Sequence, residues 1–392
     1  MNARPPLLVL NGSHSEIPLI QAARRLGYQV TTTGNAPGLI GHRFADRYLP
    51  ADYSDPQAVL EVARRIGAEA IVSCANDFGI ITAAEVCDVL GLPGHDDADT
   101  THLLHTKDRF KKLAARLALD TPPAVWFDNL DDALDHRPDL PVIVKPVDLT
   151  GGKGVARVHQ ARDYPAAVTR AFEMSRAGRI VVEPLFEGSQ HSLTTFLVAG
   201  KVAFHYCDNE HSHFNPFYVN ASSSPADHGH RHLPGLIDNI ERIAAELKLV
   251  DGVFHVQYLA NHDRFTIIDI TRRCSGDLYP VPVTRATGLD WGEWIVRAET
   301  GRNCQDIPRA TQKGYHGRYC VMTRRTGRVI AVKIDPRLRP YVVDQLFWFG
   351  TRDRIDDPLN QKVGMLFLEY PSREIMEEIT AALPDLVRIQ LR

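Results

Sequence analysis

The side chains best suited to binding a phosphorylated ligand lie close together in the middle of the chain. Residues 142–144 are β-branched and predict a buried strand with Lys145 at its end, and residues 150–154 form a glycine-rich loop that includes Lys153. Glycines permit positive φ angles and let backbone N–H groups approach an anion, while the two lysines supply positive charge from two sides. The stretch predicts a site for a nucleoside triphosphate, although an ordinary β-hairpin with a glycine turn explains these residues equally well.

The spacing within this stretch differs from two common nucleotide-binding motifs. No Gly-Lys-Ser or Gly-Lys-Thr follows a four-residue loop, as a P-loop requires, and no Gly-x-Gly-x-x-Gly opens a helix, as in dinucleotide-binding folds. The rest of the chain must therefore decide between a nucleotide site and a plain hairpin.

The first ninety residues alternate between strand and helix patterns. An apolar run at residues 6–10 leads through a Gly-Ser loop at residues 11–15 into a helical pattern, and this order is repeated up to Gly91. Such alternation predicts a parallel sheet with helices on both faces. The loop at residues 11–15 is expected to border a substrate site formed by later residues. Asn76 or Asp77 could reach the same edge, although capping a helix is the more ordinary role for either residue.

A second part of the chain begins after residues 91–94, which read Gly-Leu-Pro-Gly. Apolar residues at helical spacing predict one helix over residues 103–117 that carries Lys107, and the Thr-Pro-Pro sequence at residues 121–123 ends it. A short strand and a short helix then precede the strand of Lys145.

The order of these segments resembles the ATP-grasp superfamily, and it is most similar to the carbamoyl phosphate synthetase and biotin carboxylase branch. The resemblance rests on Thr106-Lys107-Asp108, the Thr-Pro-Pro stop, Lys145-Pro146, the Gly-Gly-Lys-Gly loop and the sequence Val-Val-Glu-Pro-Leu-Phe-Glu-Gly at residues 181–188. It implies an α/β protein with an ATP-grasp fold, preceded by a Rossmann-like parallel α/β domain and followed by a small β-rich C-terminal domain that need supply no catalytic residue. The three domains would span residues 1–98, 99–304 and 305–392, with a lid subdomain at about residues 122–186.

The resemblance assigns several residues to ATP. Lys107 and Lys145 would hold the α- and β-phosphates, and a mobile glycine loop would close over the β- and γ-phosphates. The segment that follows the strand at residue 181 would recognise the adenine edge through its backbone. Gln190 stands where an acidic residue usually binds the ribose hydroxyls, and as a neutral group it would accept a weaker hydrogen bond. The loop residues are Gly151, Gly152, Lys153 and Gly154, and the adenine segment contributes Glu183, Leu185 and Phe186.

The metal site implied by the resemblance departs from the family pattern. Gln257 stands where a glutamate usually binds Mg²⁺, and Asp269, Thr271 and Arg273 lie in a segment that replaces the usual Glu-x-Asn-Pro-Arg. The first three of these residues all offer oxygen to Mg²⁺ or Mn²⁺, so a site with fewer carboxylates is expected. Arg273 keeps the position that steadies the transferring phosphoryl group or the substrate carboxylate, and together with Lys145 it is expected to be catalytic.

Candidates for substrate binding lie in two further segments. Residues 205–224 are rich in polar and aromatic side chains and lack helical periodicity, and a glycine-containing loop follows the metal strand. Three nearby histidines alternate as if along an extended segment, but no ligand set typical of zinc accompanies them, so a solvated loop is expected there. The substrate candidates are Asp208, Glu210, His211, Asp277 and Arg285, and the alternating histidines are His228, His230 and His232.

The composition is that of a soluble globular protein. The chain has 392 residues, of which 44% are apolar and 24% charged, and this length favours two or three domains. The net charge of −3 argues against nucleic-acid binding, and no apolar run is long enough for a membrane span or a signal peptide. The six scattered cysteines predict reduced thiols in a cytoplasmic protein. The resemblance adds the expectation of a homodimer.

These observations predict an ATP-dependent carboxylate–amine ligase. Transfer of the γ-phosphoryl group to a small acid, such as an amino acid, would give an acyl phosphate, and attack by an amine would form an amide or peptide bond with release of ADP and phosphate. Two alternatives stay open, namely a carboxylase of the biotin carboxylase type that uses bicarbonate, and a nucleotide-binding protein that has lost catalysis. The replacements at Gln257 and Thr271 allow the second alternative.

Overall fold

The computed structural model describes residues 4–149, 153–227, 229–351 and 353–392. The chain begins with a four-stranded parallel sheet in the order β3-β2-β1-β4, and helices connect its strands. Asn76 caps the last helix of this part, because its side chain accepts a hydrogen bond from the backbone N–H of Phe78 at 2.9 Å. The expectation of a parallel α/β start is confirmed. The elements are β1 Pro6–Val9, α1 Ile17–Arg25, β2 Gln29–Thr32, β3 Arg47–Tyr48, α2 Pro56–Ile66, β4 Ala70–Val72 and α3 Asp77–Leu90.

A four-stranded antiparallel sheet follows, and we call it the lid sheet. Its strand order is β5-β8-β6-β7, and Lys145 lies on the central strand β6. The single helix expected over residues 103–117 is wrong, because Thr106 adopts extended φ and ψ angles and separates two helices. The elements are α4 Ala98–His105, α5 Lys107–Arg116, β5 Val125–Phe127, α6 Leu130–Asp135, β6 Val142–Pro146, β7 Ala156–Val158, α7 Tyr164–Met174 and β8 Ile180–Pro184.

The largest sheet has eight strands in the order β13-β12-β9-β10-β11-β14-β18-β16. The strands that follow residue 305 extend this sheet, because β14 pairs with β11 in antiparallel fashion, and three other strands form a separate sheet in the order β17-β15-β19. The elements are β9 Ser189–Val198, β10 Lys201–His211, β11 Ala221–Ser224, α8 Gly229–Leu247, β12 Gly252–Ala260, β13 Phe265–Thr271, α9 Pro280–Thr287, α10 Trp291–Glu299, β14 Tyr315–Val321, β15 Gly327–Ile334, β16 Val342–Phe347, β17 Arg354–Ile355, β18 Gly364–Tyr370, α11 Arg373–Leu386 and β19 Val387–Leu391.

The expected extended segment with alternating histidines is wrong. His230 and His232 lie in α8, which begins seven residues before the Leu236 start that apolar spacing suggested, and His228 lies outside the described residues. His232 forms a hydrogen bond with the backbone carbonyl of Asn261 at 2.9 Å. The helical turn thus sets the spacing of these two histidines.

One hydrophobic core holds the parallel sheet against the eight-stranded sheet. It contains Leu7 and Val9 of β1, Phe196 of β9, and Trp291 and Trp294 of α10, all of them buried. The Phe196 ring meets both tryptophan rings edge to face, with centroid separations of 5.8 and 6.1 Å, an arrangement worth about 0.5–1.5 kcal/mol per pair beyond the buried area. This packing fixes the strand ends of the parallel sheet beside the large sheet. Among the described residues, no helix combines the length and apolar character needed to cross a membrane.

Candidate active site

A large cavity lies between the lid sheet and the eight-stranded sheet. Its volume is about 720 Å³, which is within the range of sites for small-molecule ligands. The lid sheet contributes Lys145, the large sheet contributes Asp269, and the parallel α/β part contributes Asn76 and Asp77 at the start of α3. All three parts therefore meet at this cavity, and a smaller cavity of about 150 Å³ adjoins it at shared lining residues.

A buried carboxylate with two ammonium groups forms one wall of the larger cavity. Lys145 donates a hydrogen bond to Glu183 at 2.9 Å, and the Lys111 ammonium lies 3.0 Å from the other carboxylate oxygen. The exposed fractions are 2% for Glu183, 6% for Lys111 and 8% for Lys145, so water screens the charges of this cluster only weakly. Burial acts to raise the pKa of Glu183, but the two ammonium groups outweigh it and hold that pKa below its usual value. Burial likewise lowers the pKa of Lys111 to about 8, against the attraction of Glu183.

Sequence reasoning missed Lys111 and gave Glu183 only a backbone role. Lys107 and Lys111 are four residues apart on α5, and this spacing places two lysines on one face of the helix, which is the signal that could have revealed the second one. The Lys107 ammonium donates to the backbone carbonyl of Leu149 at 3.0 Å and lines the larger cavity.

The adenine segment borders the same cavity. Leu185 and Phe186 both line it, and the Leu185 backbone N–H donates to the carbonyl of Pro141 at 2.9 Å. That N–H is therefore already used within the protein. The guanidinium of Arg264 lies 4.9 Å from the centre of the Phe186 ring and covers it.

The described part of the glycine loop lies apart from the cavity lining. Lys153 is exposed, and Gly154 has a φ of +73° in a position where a Cβ atom would come within 2.7 Å of Pro146. A side chain at position 154 is therefore unfavourable on both counts. Gly151 and Gly152, which were also assigned to ATP, lie outside the described residues.

Oxygen atoms suited to a divalent cation meet at the boundary of the two cavities. Gln257 of β12 pairs in register with Asp269 of β13, and both residues line both cavities, whereas Thr271 lines the smaller one. No lysine or arginine in the described ranges forms an ion pair with Asp269. Its carboxylate, which is free of such a direct pair, and the neighbouring oxygens fit Mg²⁺, which prefers hard oxygen ligands and substrate phosphates. No group of three or more His, Cys, Asp or Glu side chains suited to a metal occurs among the described residues.

Two glutamines bind the carboxylate of Glu210. The amide of Gln190 donates to it at 2.7 Å, and the amide of Gln257 donates to its two oxygens at 2.9 and 2.7 Å. Gln190 lines the larger cavity, but its amide N–H group faces Glu210. Loss of hydration, together with the charge of Asp208, raises the pKa of Glu210 to about 7.

Arg273 joins the large sheet to the parallel sheet at the site. Its Nε donates to Asp77 at 2.7 Å, and His105 lies 3.3 Å from the same carboxylate oxygen. Burial acts to raise the pKa of Asp77, but the guanidinium and the imidazole dominate and hold that pKa well below its usual range. Arg273 lines both cavities.

The C-terminal part of the chain supplies two cations, which the expectation of a domain without catalytic residues did not foresee. Lys362 forms an ion pair with Asp277 and lines the larger cavity, and Arg318 of β14 lines the smaller one. His14, whose ring stacks on Trp348 with centroids 3.9 Å apart, lies 3.6 Å from the same aspartate. Only ten lysines occur in the chain, and Lys362 is the only one among the described residues after position 305 that lines either cavity.

Three of the five substrate candidates line neither cavity. Asp208 is fully buried and accepts hydrogen bonds from Ser192 and from the Tyr279 hydroxyl. His211 is engaged with the Ser223 hydroxyl at 2.9 Å. Arg285 forms ion pairs with Asp344 at 3.2 Å and Glu369 at 3.5 Å. These local partners hold the three side chains away from the cavities, whereas Glu210 and Asp277 line the smaller one.

The lid sheet, the large sheet and the cavity between them define the ATP-grasp fold. The fold expected from the sequence is thereby confirmed. No protein-family model matches the chain.

Comparison with known proteins agrees with this fold. Over 201 residues, or 48% of this chain, the sequence is 27% identical to the formate-dependent phosphoribosylglycinamide formyltransferase of Bordetella pertussis (strain Tohama I). The match covers 50% of that protein, so the chain spans about half the length of the curated relatives it matches. The L-amino acid ligase from Bacillus licheniformis has a TM-score of 0.84 at 18% identity, with 100% of both chains covered. The biotin carboxylase domain of the Hydrogenobacter thermophilus 2-oxoglutarate carboxylase has a TM-score of 0.78 at 17% identity, with 100% of this chain and 92% of that chain covered.

Proposed function

We propose that this protein is an ATP-dependent carboxylate–amine ligase that forms an amide or peptide bond through an acyl-phosphate intermediate. The observation that carries the proposal is the meeting of Lys107, Lys145 and Asp269 at one cavity of about 720 Å³. Separated ammonium groups beside a carboxylate that forms no direct ion pair with a lysine or arginine of the described residues are suited to a triphosphate and its divalent cation.

The roles follow from the positions of the side chains. Lys145 is held on a central strand by Glu183, so its ammonium is oriented before a phosphate arrives. Lys107 lies at the first turn of α5, on the same cavity. Asp269, with oxygens of Gln257 and Thr271, would hold Mg²⁺ or Mn²⁺, which when bound neutralises phosphate charge.

The reaction divides between the two cavities. ATP occupies the larger one, and the acid substrate places its carboxylate oxygen in line with the γ-phosphorus, where Arg273 steadies the transferring group. The bond between the γ-phosphorus and the bridging oxygen breaks as the new bond to the carboxylate oxygen forms, which gives ADP and the acyl phosphate. An amine then attacks the acyl carbon, phosphate leaves, and the amine proton passes to solvent.

Two relatives in fold support this choice without naming the substrate. One is an L-amino acid ligase, and the other was solved with MgADP and bicarbonate. The second supports the use of ATP and Mg²⁺, although its bicarbonate is the substrate of the carboxylase alternative. It is also described as a dimer, so we include a homodimer in the proposal. We also place the protein in the cytoplasm, which agrees with six buried cysteines that form no disulfide.

The test is ADP release with Mg²⁺ across a panel of amino acids, hydroxy acids and bicarbonate, each with and without an amine. We expect release that requires an organic acid and is lost in Lys145→Ala and Asp269→Ala. Release with bicarbonate alone would favour the carboxylase, whereas ATP binding without any turnover would favour a nucleotide-binding protein that has lost catalysis.

A further inference from the structure

The two glutamines that replace acidic residues of the ATP-grasp pattern share one partner. Gln190 on β9 and Gln257 on β12 both donate to Glu210 on β10, at distances of 2.7–2.9 Å, and the three strands are adjacent in the sheet. An acidic side chain at position 190 or 257 would place two carboxylates at hydrogen-bond distance, and such like charges repel each other. The presence of Glu210 therefore explains both replacements.

Glu210 is a carboxylate of the smaller cavity that lacks a cationic partner. Asp77 pairs with Arg273 and Asp277 pairs with Lys362, whereas no lysine or arginine in the described part of the chain forms an ion pair with Glu210. The remaining carboxylate of this cavity belongs to the metal candidate on β13. Two neutral amides donate hydrogen bonds to Glu210 but supply no positive charge to it.

Two buried side chains of the same cavity have polar atoms without a partner. Arg318 uses Nη1 to bind the backbone carbonyls of Gly276 and Asp277 at 2.9 and 3.0 Å, but its Nε is unpaired, as is Nδ1 of His255. Their exposed fractions are 5% and 6%. Buried polar groups are normally satisfied, so these atoms indicate a polar ligand in the cavity.

We propose that the smaller cavity receives an α-amino acid as the acid substrate, and that Glu210 binds its ammonium group and so determines specificity. The proposal rests on the ligase function proposed above. An ammonium group would give Glu210 the cationic partner that it lacks. The guanidinium of Arg318 is available to a carboxylate or phosphate oxygen of the same ligand. The volume of about 150 Å³ favours a small side chain.

The test compares alanine with propionate, which has the same carbon skeleton but no amino group. The measurements are kcat/KM for ADP release and calorimetric binding of each acid in the presence of a non-hydrolysable ATP analogue and Mg²⁺. We expect the wild type to prefer alanine at least tenfold, and Glu210→Gln to reduce this preference at least tenfold, mainly through KM. The control Glu241→Gln makes the same substitution at a surface ion pair with Lys201 and should behave as the wild type.

Affinity for the ATP analogue shows whether a variant has lost only its preference for alanine or has a disrupted active site. We expect Glu210→Gln to keep this affinity and Glu210→Asp, which retains the charge, to keep a preference for alanine. If Glu210→Gln does not fold, the double variant Glu210→Gln/Gln257→Glu restores one carboxylate to the cluster, and we expect it to fold without the alanine preference.

Three results would overturn the role of Glu210, namely a wild type that does not prefer alanine, a wild type that binds neither acid, or a Glu210→Gln variant that keeps the preference. Binding of alanine over propionate without any ADP release would instead contradict the ligase function and leave the ammonium site supported.

Discussion

Replacement of Glu183 by glutamine should destabilise the protein strongly, because it leaves two buried ammonium groups without a counter-charge. The ammonium groups of Lys145 and Lys111 lie 2.9 and 3.0 Å from this carboxylate, and the exposed fraction of Glu183 is 2%. Removal of one partner from a buried ion pair costs about 3–5 kcal/mol. At about 2–4 °C per kcal/mol for a domain of this kind, the melting temperature of Glu183→Gln should fall by roughly 6–20 °C.

A double-mutant cycle identifies the cause of that loss. Lys111→Met leaves Glu183 paired with Lys145, so we expect it to cost less than Glu183→Gln, about 1.5–3 kcal/mol for a lost charged hydrogen bond. The double variant buries one ammonium instead of two and should be more stable than the sum of the two single costs predicts. Thermal and urea unfolding of the four proteins, without nucleotide, gives the coupling energy.

The control variant is Glu241→Gln, which removes an ion pair of similar length to Lys201 at the surface. The Lys201 side chain is 74% exposed and the distance is 2.7 Å, so solvent screening limits the expected cost to about 0–1 kcal/mol. If Glu183→Gln were as stable as this control, or if the two single costs simply added, the buried three-residue cluster would not stabilise the fold as described.

Three other predictions concern charged side chains at the site and outside it. The pKa of Lys111 is lowered from 10.5 to about 8, so between these pH values the unfolded chain binds a proton that the folded chain has lost. The free energy of unfolding should therefore rise with pH in this window more in the wild type than in Lys111→Met, as measured by urea unfolding at pH 7.5 and 9.5. The pKa of Asp77 lies below its ordinary value of 3.8, so its contribution to stability should be present above pH 4 and lost on further acidification. The advantage of the wild type over Asp77→Asn in urea unfolding should shrink from pH 5 to pH 3, and an advantage that does not change would contradict the pairing with Arg273. Arg285→Ala should leave nucleotide affinity and ADP release unchanged, because its partners Asp344 and Glu369 lie outside both cavities. A tenfold loss in ADP release would instead indicate that Arg285 binds the substrate.

The parts of the site that the sequence predicted are those encoded by neighbouring residues. A β-branched run identifies β6 and the position of Lys145 at its end, and alternation of strands with helices identifies the parallel sheet. The resemblance to the ATP-grasp superfamily also implied that Gln257 and Asp269 lie together, and the two residues pair in register on adjacent strands. These features depend on secondary structure, which residues close in sequence largely determine.

The parts that the sequence did not predict depend on pairing between distant strands. Gln190 and Gln257 are 67 residues apart, and only the order β12-β9-β10 brings both to Glu210. The contact of Lys362 with Asp277 likewise requires the C-terminal strands to extend the large sheet. The break between α4 and α5 at Thr106 was missed for another reason, because no glycine or proline marks it.

The charges that the site leaves uncompensated indicate how it would discriminate between ligands. The cluster of Glu183, Lys111 and Lys145 has one more cation than anion beside the larger cavity, and Glu210 lines the smaller cavity without an ion pair to a lysine or arginine of the described residues. A charge that is partly desolvated and lacks a protein partner costs free energy in the empty protein, and a ligand of opposite charge recovers it. Phosphate groups therefore favour the first cavity and an ammonium group the second, so the two substrates would be sorted before any bond is made. Acidic side chains at positions 190 and 257 would make the two cavities less different in charge, because their negative charge would lie between the cavities beside Asp269. On this account the amides at positions 190 and 257 and the carboxylate of Glu210 form one charge arrangement, and they should be exchanged together in any variant that keeps activity.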